Sequence, residues 1–230
     1  MPQFDLICLA NSRKHGGRCV AGLRTDGSGW LRPVGRLPGG TLYPTDYTLD
    51  DYTEAGPLDV IRVGVTAPRP ECHQPENWVI DGSTWQLAER PAGPHLSPVL
   101  QAAIRTGAEL LTGYSDRLSH ADLQQHPVST SLALVAPKEL ELYHQLSYSG
   151  RPQVRARFTL GSGARATTYN LSVTDPTWES RVISGGPKVF RNPADRALAT
   201  VSLGEELRGF CYKLIAAVIL IPPRISVSFS

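Results

Sequence analysis

From Val154 to Leu160 the chain alternates strictly. Val154, Ala156, Phe158 and Leu160 take every second place, and Arg155, Arg157 and Thr159 fill the others. Successive side chains of a strand point to opposite faces, so such a run buries one face and leaves the other wet. The chain returns to this pattern repeatedly, and 21 glycines and 19 prolines cut it into short pieces. Periodic helical stretches are scarce. The expectation is a mainly β chain of many short strands joined by turns.

Phe4 to Ala10 reads as a first strand and Arg18 to Leu23 as the start of a second. Trp30 to Val34 follows the turn Asp26-Gly27-Ser28-Gly29, and Leu58 to Val65 alternates. Val79-Ile80 and Thr84 to Leu87 flank Asp81-Gly82, a hairpin signal. One helix is expected from Ser97 as N-cap and Pro98 at its first position to about Leu111, with Gly113 ending it. Gly113 to Pro127 reads as a connector. Ser131 to Ala136, Leu140 to Leu146, Val154 to Leu160 and Tyr169 to Val173 then read as strands. A last strand, Tyr212 to Ile221, is ended by Pro222-Pro223. Each half holds about five strands, the inventory of a small, partly open barrel used twice.

With 230 residues, 41% of them hydrophobic, the chain can bury a core. Its net charge of +2 excludes a protein that coats duplex by charge alone. The charge is uneven, however. Up to Arg36, the bases Arg13, Lys14, Arg18, Arg24, Arg32 and Arg36 stand against only Asp5 and Asp26. From Gln145 to Thr174, Arg151, Arg155, Arg157 and Arg165 meet no acid. Two basic segments point to a basic face.

Of the four cysteines (Cys8, Cys19, Cys72 and Cys211), three sit in apolar runs, as small buried hydrophobes do. No CxxC pair or Cys/His ligand spacing is present. Cys72-His73 are adjacent, an unfavourable placement for one metal, so neither a metal nor a cofactor is expected. Asp5 breaks the apolar start, so no secretory leader is expected. The longest apolar run, Leu214 to Ile221, is far short of the ~20 residues of a spanning helix. The expected location is the cytoplasm, without a membrane partner.

Asn11 to Gly22 forms a polar, basic loop between two strands. Ser12, Arg13, Lys14, His15 and Arg18 offer donors and charge, and Gly16-Gly17 leaves backbone N–H groups accessible, as an anion site requires. This segment, with Gly29-Trp30-Leu31-Arg32-Pro33-Val34, resembles the opening of the bacterial dual OB-containing domain family. Pro57 to Ile61, Gln74 to Trp78, Leu171 to Glu179 and Cys211 to Ile219 resemble it too, in order along nearly the whole chain. The resemblance implies two tandem OB-like barrels and a nucleic-acid role in conflict or repair systems. It implies no catalytic residues.

The expected layout is a first barrel over residues 1–95, a helix and connector over 96–126, and a second barrel over 127–230. The first strand connection of an OB barrel borders its ligand groove, which assigns Arg13, Lys14, His15 and Arg18 to a phosphate backbone. Trp30, Trp78 and Trp178 are candidates to stack bases, with Arg32 sharing the face of Trp30 and Asn77 beside Trp78. Arg155 and Arg157 share the polar face of their strand. The partner expected is nucleic acid, single-stranded rather than duplex. Two other readings stand beside it: a protein-interaction module that recruits a partner, and a metal-dependent nuclease or nucleotide-processing enzyme using His15 and nearby carboxylates. No Gly-x-Ser-x-Gly elbow, Walker loop or Rossmann fingerprint is present, so no catalytic residue is assigned.

Overall fold

The computed structural model describes residues 1–91, 97–147, 150–185, 190–192 and 197–221, the backbone alone for 190–192. Pro222-Pro223, expected to end the last strand, lie outside these residues.

The first strand, β1 (Gln3–Lys14), is long because it serves two partners. Its start pairs with β4 (Val60–Pro68), and from Leu6 onward it pairs with β2 (Gly17–Arg24). The register slips at Leu9, between Cys8 and Ala10, and such a bulge curves a strand. β3 (Trp30–Val34) pairs antiparallel with β2 and parallel with β5 (Asn77–Ile80), and β5 returns to β4. The order β1-β2-β3-β5-β4 therefore closes on β1 as a five-stranded barrel. A one-turn helix, α1 (Pro44–Tyr47), precedes β4, and β6 (Gln86–Glu89) adds to β4. Leu6, Cys8, Leu31, Ile61, Val63 and Trp85 fill the interior. Asp81-Gly82 do form a turn, but the strands beside it do not pair as a hairpin. β5 and β6 lie on either side of β4.

The second ring repeats this connectivity. It uses β9 (Leu132–Val135), β10 (Lys138–Leu146), β11 (Pro152–Leu160), β12 (Thr167–Val173), β14 (Ala197–Leu207) and β15 (Phe210–Leu220). β12 and β15 are parallel, like β3 and β5. β9 and β10 act as one bent strand, β9 pairing with β14 and β10 with β11. Pro137 sits at the bend, where its missing N–H costs no ladder bond. Between β12 and β14 stand α4 (Pro176–Ser184) and β13 (Phe190–Asn192), the latter added to β10. The alternation around Phe158 is realised as expected, with Phe158 opposite Tyr169 in β12 and both buried.

The helix after Ser97 is shorter than its apolar stripe suggested. Ser97 caps α2 (Pro98–Ala103), but Ile104-Arg105 leaves the helix as β7 to pair with β9. Leu110 and Leu111 instead plug the core of the second ring. The expected connector is also ordered: it carries β8 (Arg117–Ser119), paired to β15, and α3 (His120–Gln125).

A third apolar cluster joins the rings. Ile7, Leu9, Ala21 and Leu23 from the outer face of β1 and β2 meet Leu132, Leu134, Leu198, Ala216 and Ile219. In β1, Leu6 and Cys8 face the first interior while Ile7 and Leu9 face the second ring. Burial on both faces is why β1 and β15 read as unbroken apolar runs and not as alternating ones.

Candidate functional site

The β1–β2 turn projects onto the second ring. His15 and Gly16 both take positive φ, 44° and 82°, so the turn is tight. Gly17 serves packing: a Cβ there would lie 2.2 Å from the Leu42 carbonyl oxygen. Arg13 donates its backbone N–H to the Thr174 carbonyl, and its Nε lies 3.0 Å from Glu179 Oε2 in α4. Lys14 Nζ and His15 Nε2 each reach a Glu205 oxygen of β14 at 2.8 Å. Burial works to raise the Glu205 carboxyl, but the bonds from Lys14 and His15 outweigh it and hold it below the ordinary carboxylate range.

This docking bounds a cleft of about 670 Å³. Ser12, Arg13, Lys14 and His15 form one wall. Gln153, Arg155, Asn170 and Ser172 of the second ring form another, and Tyr212 and Lys213 of β15 lie between. Arg155 Nε donates to Asn170 Oδ1 (3.1 Å), Nη1 donates to Ser172 Oγ (2.8 Å) and Nη2 donates to the Asn170 carbonyl. These partners are neutral, so the guanidinium keeps its charge for a ligand. Two basic groups about 140 residues apart thus share one cleft. Glu179, Glu205, Glu206 and Asp116 line it as well, which makes its charge mixed and not uniformly basic.

Other candidates lie elsewhere. Arg18 pairs with Glu54 (3.1 Å) at a separate recess beside Asn11 and Trp178. Arg157 lies over a third, with Glu139 and Glu141. Trp30 and Arg32 share a face, as alternation required, but the second ring covers it. Trp30 packs into the inter-ring cluster, and Arg32 is 0% exposed, its Nη2 donating to Ser131 Oγ and Ser202 Oγ. Asn77 is 2% exposed and donates to Gln74. Trp78 is half-buried, edge-on to Phe4 with ring centroids 5.3 Å apart. Trp178 is 3% exposed and donates Nε1–H to the Val218 carbonyl (2.8 Å). Arg32 and Asn77 are therefore covered, because elements that local pattern does not reveal pack over them, and Trp178, itself in α4, shows only a 3% exposed edge at the Arg18 recess. Asp175-Pro176, a cap followed by a first-turn proline, was the readable sign of α4. Asp175 accepts from the Thr177 and Trp178 N–H groups and, across to β15, from Val218.

Tyr212 and Lys213 are cleft residues that sequence reasoning did not assign to it. Lys213 is 2% exposed and donates to the Gly113 carbonyl (3.0 Å). Burial pushes its ammonium down to about 8 from an ordinary 10.5, against opposing pulls from Asp116 and Glu109. Below about pH 8 both folded and unfolded chains carry the proton, and the burial penalty is constant. Between about 8 and 10.5 only the unfolded chain holds it, so this group makes stability rise with pH across that window. Lys213→Met is expected to remove that rise. Urea midpoints measured through the window check it; the same rise in the variant would assign it to another group.

No described helix is long and apolar enough to cross a membrane. A family model described as "Dual OB-containing domain" matches residues 4–218. Comparison with curated proteins finds no match.

Proposed function

Because the chain belongs to the dual OB-containing domain family, we propose that it is a nucleic-acid-binding protein that holds single strands in the cleft between its rings. In this reading residues 1–95 and 127–230 are the two barrels and 96–126 join them. The observation that carries the proposal is the convergence of the Ser12–His15 turn and Arg155 on one cleft. In OB folds the first strand connection borders the ligand surface. The cleft volume suits a nucleotide-sized group and not a duplex. Phosphate would take Arg155 directly and compete with Glu205 and Glu179 for Lys14 and Arg13.

The mixed charge predicts a shallow salt dependence. Two or three phosphate contacts give a slope of log affinity on log salt of about −1.4 to −2 for a single strand. Fluorescence anisotropy with labelled single-stranded and duplex DNA and RNA at several salt concentrations tests this. Tighter single-strand binding with that slope is expected. Preference for duplex, or no binding to any probe at low salt, overturns the reading.

A further inference from the structure

We propose that Cys72, His73 and His120 form a zinc site that clasps the β4–β5 loop of the first ring to the segment joining the rings. Cys72 Sγ lies 3.8 Å from His73 Nδ1 and 3.6 Å from His120 Nε2, and each residue offers a ligand atom within 4.8 Å of the others. Tetrahedral zinc, with Zn–S near 2.3 Å and Zn–N near 2.0–2.1 Å, sets sulfur and nitrogen about 3.6 Å apart. The side chains already hold that spacing. The two imidazole rings cross at 73° with centroids 5.9 Å apart, as two ligands aimed at one point do.

The backbone makes this placement without help from a metal. Glu71 and Gln74 bridge across a tight turn, which leaves Cys72 and His73 at its tip. In a strand, adjacent side chains diverge; at a turn tip they need not. His120 opens α3, where Ser119 caps the helix and the His120 N–H donates to the Gly209 carbonyl. The Val128 N–H donates to the Cys72 carbonyl.

The donor chemistry points to zinc. One thiolate and two imidazoles suit a borderline-soft ion. Glu71 Oε2 lies 3.3 Å from His73 Nε2 without hydrogen-bond geometry, close enough that a small rotation would let it orient a metal-bound imidazole through its other nitrogen. Sulfur contacts alone are weak, since a thiol is a poor donor and a poor acceptor. Binding would release the Cys72 proton to solvent. Three protein ligands leave a fourth position for water or another donor. His73 is 6% exposed while Cys72 and His120 are half-buried, so an ion can enter. The same loop carries Gln74, which donates to the Leu203 carbonyl and lines the cleft, so the clasp would also hold one rim of it.

The test uses the full chain and requires no nucleic acid, so its result stands apart from the function proposed above. Dialysis against zinc followed by elemental analysis should give one zinc per chain. Cobalt in its place should show a thiolate-to-metal charge-transfer band. Cys72→Ser and His120→Gln should each lose the metal, and Glu71→Gln should weaken it by about 10- to 100-fold. His144→Gln, on an exposed histidine of β10, should keep it. Substoichiometric zinc, a cobalt spectrum without the thiolate band, or full binding by Cys72→Ser overturns the proposal. The spectrum of the unaltered chain decides even if a variant fails to fold.

Discussion

Lys14→Glu combined with Arg155→Glu is expected to weaken single-strand binding by about 100-fold. Each replaced group contributes a charge-assisted hydrogen bond worth about 1.5–3 kcal/mol, and 1.4 kcal/mol is a factor of ten. The two residues come from different rings and line one cleft, so their joint loss tests the cleft as a unit. Arg18→Glu is the internal control. Arg18 sits at another recess against Glu54, and its reversal should leave affinity nearly unchanged. Lys14→Glu also sets a new carboxylate beside Glu205, so the variant needs a thermal melt next to its anisotropy titration. Binding equal to the parent in a folded double variant would remove the cleft from the binding surface. A loss in Arg18→Glu of the same size would shift the site to that recess.

Glu76→Ala should destabilise the fold by about 3–5 kcal/mol, the cost of stranding a buried charge when its partner is removed. Arg32 is fully buried between the rings, and its Nη2 donates to Ser131 Oγ at 3.0 Å. Ser131 relays the interaction: its Oγ donates to Glu76 Oε2 (2.8 Å) and its N–H to Oε1 (2.6 Å). Thr130 Oγ1 donates to the same Oε1 at 2.7 Å. Without the carboxylate, Arg32 keeps its desolvation cost and loses the charge at the end of the relay. Arg32→Met with Glu76→Leu should recover most of the loss, because an apolar pair carries no such cost. Urea denaturation of both variants and the parent is the measurement. A single variant within about 1 kcal/mol of the parent would mean that water or another carboxylate serves Arg32.

The strands that bury one face were legible: β11 and β12 follow their alternation residue by residue. The loop expected from Asn11 to Gly22 was not: β1 runs to Lys14 and β2 starts at Gly17, so its residues pair as strands and only His15-Gly16 turn, because the ladder continues through polar side chains as readily as through apolar ones. β14 was missed. Ala197 to Leu203 is buried throughout, so it carries no alternation to read. The candidate site was legible in half. Ser12, Arg13, Lys14, His15 and Arg155 do line one cleft, while Arg32, Asn77 and Trp178 are buried under elements that local pattern does not reveal. The zinc-type trio was hidden for the opposite reason. Spacing along the chain argued against Cys72-His73, and the third member, His120, lies 48 residues away.

By itself, the sequence determined the alternation of the strands that bury one face, the tight turns, the cap of α2, and the family to which the chain belongs. Those are local properties, set by sterics and by hydrogen bonds over a few residues. Only the tertiary structure decided what each face meets. It packed the outer face of β1 against β15, covered Arg32 and Trp30 with the second ring, and set Glu205 against His15 across 190 residues. Alternation says that a side chain leaves one face of a sheet. Whether it then meets water, a carboxylate or another barrel depends on contacts that no local period encodes.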